Sequence, residues 1–274
     1  MMANRFIAMI ILALLWSIVH CGANVAVRFK EGLTHGFLVL STLDGTPIAY
    51  GDLNQTAHDN QVTSNLIYHF KDGSLQEELT VFSQRKSFSL ISYRLIQKGP
   101  TFQHPLDMLV NTATGIITVR YSDDKGQEKT ESEHLKKVPP DLANGLVLTI
   151  LKNLRPDGVL PQLSMVVATP KPRIIKLALS VQGKEPFTLA GSDREALNYD
   201  IKIEIGGVEG FVAPLLGMQP PDAHVWILGG EAPAFVKSES VSFLGGPMWR
   251  TELVAPVWPR SDSAESKSSA EEKH

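Results

Sequence analysis

Apolar and polar residues alternate in short runs along most of this chain, and small turn residues separate the runs. Val62, Ser64, Leu66, Tyr68 and Phe70 alternate with Thr63, Asn65, Ile67 and His69. Lys71-Asp72-Gly73-Ser74 then supplies an Asp-Gly turn before a second run over 75–84, which predicts a β-hairpin. Asp44-Gly45 predicts the same between 37–42 and 48–55, and Asp124-Lys125-Gly126 between 116–121 and 127–133. Tyr199, Ile201, Ile203 and Ile205 oppose Asp200, Lys202 and Glu204, and Ile175, Leu177, Leu179 and Val181 oppose Lys176, Ala178 and Ser180. Period two of this kind belongs to an antiparallel sheet with one wet and one buried face.

One segment breaks the pattern. After Pro139-Pro140, residues 141–154 place Leu142, Leu146, Ile150 and Leu154 at steps of four, with Val147 and Leu151 beside them. This predicts an amphipathic helix with Asp141 as N-cap, ended by Pro156 and Gly158. Such a helix lays its apolar face on the sheet, as a plug over the core or as a lid over a ligand cavity. The stretch 208–221 is apolar without a period and is broken by Pro214, Pro220 and Pro221, so it reads as a long turn tucked onto the core or as an apolar loop that touches a membrane or ligand.

The two ends differ from the body. Arg5 precedes an apolar run from Phe6 to Val19, about 14 residues and short of the ~20 that span a bilayer, and Cys21-Gly22-Ala23 follows it. This is the pattern of an export signal cut after Ala23, leaving a periplasmic or secreted protein that begins at Asn24. A lipid anchor on Cys21 is a competing reading, against which stands His20 where a small residue is usual, and a retained membrane anchor is a third. From Arg260 the chain is mostly Ser, Glu and Lys with no large apolar residue, a disordered tail over 260–274. The organisation expected is therefore a signal peptide at 1–23, one β-rich domain over 24–259 and a tail.

Cys21 is the lone cysteine, which excludes a disulfide scaffold and fits a bacterial envelope protein. With 26 basic and 29 acidic residues there is no basic stripe, so nucleic acid is not an expected partner. The histidines are scattered and never paired on a helix turn, so no metal site and no cofactor are expected. Ser83-Gln84-Arg85-Lys86 matches a Ser-x-x-Lys pattern, but it joins two β runs where that chemistry needs a helix. No phosphate-cradling loop or nucleophile elbow occurs. The chain thus reads as noncatalytic. Trp226 in Val225-Trp226-Ile227-Leu228 and Trp249 in Met248-Trp249-Arg250 read first as core fillers and second as ligand contacts.

The order of these runs carries a resemblance. Strands and Asp-Gly hairpins come first, one apolar helix lies near the middle, and the chain closes on Asp222-Ala223-His224-Val225-Trp226-Ile227 and Ala234-Phe235-Val236-Lys237-Ser238-Glu239. Over roughly 37–252 the chain resembles exported bacterial proteins of the LolA/LolB-like lipoprotein-carrier superfamily. The resemblance implies a mainly β fold, a strongly curved antiparallel sheet or half-open β-barrel with the helix packed on or in it. It also implies an envelope protein that binds a lipid or lipoprotein in the concavity. The residues expected to line such a site come from the pattern itself: Leu146 and Ile150 on the shared apolar face of the helix, and the rings of Trp226 and Trp249. The alternative is a structural or assembly module of the envelope that recognises a protein or glycan with its sheet edge or loops.

Overall fold

The structure, a computed structural model, describes residues 25–123, 125–155, 157–189, 192–204 and 220–254. The predicted signal 1–23, the tail 260–274 and nearly all of the stretch 208–221 lie outside them. Eight strands come first: β1 (Thr34–Thr42), β2 (Pro47–His58), β3 (Gln61–Phe70), β4 (Leu75–Gln84), β5 (Phe88–Lys98), β6 (Leu106–Asn111), β7 (Ile116–Ser122) and β8 (Glu128–His134). A short helix, α1 (Val147–Asn153), follows. The rest is β9 (Leu163–Val167), β10 (Arg173–Leu189), β11 (Ser192–Glu204), β12 (Ala223–Leu228), β13 (Ala234–Val241) and β14 (Met248–Val254).

All fourteen strands form one sheet in the order β8-β7-β6-β5-β4-β3-β2-β1-β14-β13-β12-β11-β10-β9. Sheet neighbours are chain neighbours except at the centre, where β1 pairs antiparallel with β14, Leu40 opposite Thr251. The predicted β content and the three predicted hairpins, β1–β2, β3–β4 and β7–β8, are present. The predicted closure is not, because β8 and β9 end the sheet as two edges and do not pair with each other. The half-open, strongly curved barrel is thus corrected to a single open sheet. Alternation reports that one face of each strand is buried; it carries no information on whether the outermost strands meet.

The turn chemistry explains the meander. At 71–74 the Gly73 N–H donates to the Phe70 carbonyl, the Ser74 N–H donates to the Asp72 carboxylate, and Gly73 takes φ of 85°, where a side chain would be strained.

The helix is shorter than predicted and begins at Val147, with Leu146 as a cap that offers no side-chain hydrogen bond. Asp141 is not the N-cap. Leu142 instead forms a parallel bridge with Ser164, the Ala143 N–H donates to the Ser164 carbonyl, and the Asp141 carbonyl accepts the Ser164 N–H. Gly145, at φ of 67°, then passes so close to β4 that a Cβ there would lie 2.0 Å from the Thr80 hydroxyl. Strand-like contacts to β9 therefore claim the residues whose spacing had suggested the first helical turns.

The main core gathers buried side chains of β3–β7 (Phe82, Tyr93, Met108, Val119 among them) and of β9–β12 (Leu163, Leu177, Tyr199, Val225) around Leu146, Ile150 and Leu151. A smaller cluster lies over β1–β3 and β14, where the rings of Phe70, Phe102, Phe243 and Trp249 meet with centroids 5.4–5.7 Å apart.

Candidate functional site

A sheet that does not close must manage its edges, and this one manages them unequally. β8 is exposed at every position and reads Glu-Lys-Thr-Glu-Ser-Glu-His, a charged edge that resists pairing. β9 is covered: Ser164 spends its backbone groups on Asp141 and Ala143, and the Asn144 side chain donates to the Val166 carbonyl at 2.9 Å and accepts the Val166 N–H at 2.8 Å.

β10 is different. It outruns β9, which pairs only with Arg173–Leu177. Since Ser164 and Val166 face the 141–144 segment, Leu163, Met165 and Val167 face β10, opposite Leu177, Ile175 and Arg173. Alternation along the strand then turns the backbone groups of Leu179 and Val181 outward, and, past the bulge between Val181 and Gly183, those of Lys184 and Pro186. Pro186, with no N–H, suits an outward edge position. Residues 178–182 read Ala-Leu-Ser-Val-Gln, without charge, and have no strand on their outer side among the described residues. Further on, β12 stops at Leu228 opposite Ala196, and the β10–β11 pair continues as a two-stranded ribbon to Leu189 and Ser192.

At the root of this ribbon, on the face that carries α1, lies a recess of about 340 Å³. Its floor is apolar: Phe29, Leu151, Leu154, Leu197 and Ile227. Cations ring it. Lys184 pairs with Glu195 at 3.3 Å, and Lys152 pairs with Glu31. Arg28 donates to the Leu154 carbonyl at 2.7 Å and has no carboxylate partner among the described residues. Its position is fixed by Asn153, whose side-chain oxygen accepts the N–H groups of Arg28 and Phe29 at 2.9 and 2.7 Å. Tyr199, 1% exposed, reaches the recess from β11, and its hydroxyl makes no hydrogen bond among the described residues. Burial raises its pKa, an effect that the Arg28 charge partly offsets.

The four residues predicted to line a ligand site are not brought together. Leu146 and Ile150 are buried in the main core, beside a gap of only about 10 Å³. That is room for about one water at most, and no acyl chain fits it. Trp249 belongs to the four-ring cluster of the smaller core. Trp226 lies on the opposite face of β12, with the Lys237 ammonium 4.0 Å from its ring centre and its indole N–H without a partner among the described residues. The reading of a lipid or lipoprotein held in a half-barrel is thereby overturned: the open sheet has no barrel interior, and the space beneath the helix is filled.

Two polar clusters escaped sequence reasoning. Ser164 donates to Asp141 at 2.9 Å, and the Lys176 ammonium lies 2.7 Å from the Ser164 hydroxyl and 3.0 Å from the Asp141 carboxylate. A Ser-Lys pair at that distance could in principle make a nucleophile. Ser164, however, has no exposed surface, and its hydroxyl already serves both neighbours. The cluster clamps the 141–144 segment to β9 and β10. The second cluster is Glu78, which accepts from Tyr93 and Gln76 at 3.2 and 2.9 Å; Gln97 donates to Gln76 at 3.0 Å. Burial without a neighbouring cation raises the Glu78 pKa, and the two hydrogen bonds only partly oppose it. Among the described residues no three His, Cys, Asp or Glu side chains gather as a metal site, and no helix is long and apolar enough to cross a membrane.

No family model matches the chain, and no curated protein does. One solved structure is similar at a distance: the crystal structure of a beta-barrel-like protein of Domain of Unknown Function DUF1849 from Brucella abortus. It has 8% identity and a TM-score of 0.44, over 84% of this chain and 100% of that one. What the chain's own strands and helix show of the expected lipoprotein-carrier fold is a β-sheet domain with one short helix.

Proposed function

We propose that this chain is an exported, noncatalytic assembly module of the cell envelope that recognises another protein through a sheet edge. The observation that carries this reading is the uncharged outer edge of β10 at 178–182, set beside a charged edge at β8 and a covered one at β9. Backbone groups of Leu179 and Val181 that point outward can accept an added strand, with main-chain hydrogen bonds giving affinity and inward side chains giving specificity. Val181, 36% exposed, offers apolar surface on the same inner side. Protein is favoured over glycan because the unused groups are a row of main-chain donors and acceptors at strand spacing. Export rests on the Phe6–Val19 run and the small residues up to Ala23.

The test is selection of displayed peptides on the purified protein, followed by amide exchange. Peptides of alternating apolar and polar residues should slow exchange at Leu179 and Val181. Val181→Pro removes an outward N–H without touching an internal bond and should abolish the effect. Slowed exchange elsewhere, or none, would sink the proposal.

A further inference from the structure

We infer that the recess at the root of the β10–β11 ribbon takes the carboxy-terminal residue of the recognised polypeptide, its apolar side chain on the floor and its α-carboxylate between Arg28 and the Tyr199 hydroxyl. This deepens the strand-addition reading and rests on it. A strand added outside β10 lies one spacing, about 4.8 Å, from Lys184, which stands opposite Leu197 and borders the recess. An inward side chain of that strand therefore arrives at the mouth.

The chemistry at the mouth selects the end of a chain over its middle. Arg28 is the cation there with no carboxylate partner among the described residues, and its guanidinium is held in place by the carbonyl of Leu154. Tyr199 lines the same recess, its hydroxyl has no partner among the described residues, and that hydroxyl and the guanidinium of Arg28 are complementary to one anionic acceptor. Gly229 and Gly230 border the recess without side chains, and a Cβ at either would meet nothing, so the mouth is open to an incoming backbone. The apolar floor accepts a side chain such as leucine or phenylalanine. An internal stretch of chain would bury its own peptide groups there without neutralising Arg28.

The experiment is fluorescence polarisation with the full chain and a fluorescein-labelled octapeptide of alternating threonine and valine that ends in phenylalanine, as free acid and as amide. The acid should bind at least tenfold more tightly. Arg28→Gln, which can still donate to the Leu154 carbonyl, should bring the acid to the level of the amide. Tyr199→Phe should weaken the acid severalfold with an unchanged melting temperature. Equal binding of acid and amide, both lost in Val181→Pro, overturns the carboxylate site and leaves strand addition standing. A preference for the acid that survives Val181→Pro supports the site and overturns strand addition. Absence of binding to the wild type overturns this inference, and so does tighter binding of dodecanoate than of the peptide.

Discussion

Asn144 pairs with Val166 as a neighbouring strand would, giving its amide hydrogen to the carbonyl and taking the N–H in return. A single side chain thus finishes the edge of β9. Both partners are buried, so Asn144→Ala should leave two backbone groups unsatisfied at about 1–3 kcal/mol each. Urea unfolding would measure it, and a loss below about 1 kcal/mol would show that water replaces the amide without cost.

Ile150 lies 5% exposed between the two halves of the core. Ile150→Ala should cost about 2–5 kcal/mol, as truncation of a buried aliphatic chain does when its surroundings cannot collapse. A change under 1 kcal/mol would mean that α1 sits loosely on the sheet.

The Glu78 carboxyl binds its proton more tightly in the folded chain than in the unfolded one, because burial raises its pKa above the ordinary 4.5. The folded state therefore holds the extra proton. The contribution of Glu78 to stability is greatest below pH 4.5 and is lost as pH rises through the raised value. Glu78→Gln should remove that part of the pH dependence and stabilise the protein at pH 7, since the Tyr93 hydroxyl can reverse to accept the new amide. Parallel stability–pH curves for the two proteins would refute the assignment.

Ser164 should resist a fluorophosphonate probe despite the ammonium 2.7 Å from its hydroxyl, because no surface of the residue is open. Mass spectrometry of the treated protein decides the matter. A phosphonylated Ser164 would turn the Asp141-Ser164-Lys176 cluster from a clamp into a reactive site.

Sequence pattern revealed the strands wherever period two met an Asp-Gly turn, as at Asp72-Gly73, because turn geometry and alternation are both local. The body of α1 was legible in the spacing of Val147, Ile150 and Leu151. Its start was not, since Asp141 and Gly145 answer to Ser164 and Thr80, neighbours that spacing does not reveal. Lys176 read as a solvent-facing position and proved to be the cation of the clamp. The recess draws on 28–29, 151–154, 184, 195–199 and 227–233, stretches with no shared motif. Pro186 within a strand was the one local hint of a free edge, since a proline there has no N–H to offer a neighbour.

The pairing of β1 with β14 has a kinetic consequence. Every other hydrogen-bonded strand pairing joins chain neighbours, so two half-sheets can each form by successive hairpins, while this seam must close a loop spanning nearly the whole described chain. Zipping of Phe37 to Val254 and onward to Thr42 with Trp249 becomes the slow, concentration-independent step of refolding. A circular permutant that links 254 to 25, keeping the 25–33 segment that packs on α1, and opens between β8 and residue 141 would make every strand neighbour sequential. It should refold faster while keeping the same sheet, with the old seam reduced to one more hairpin.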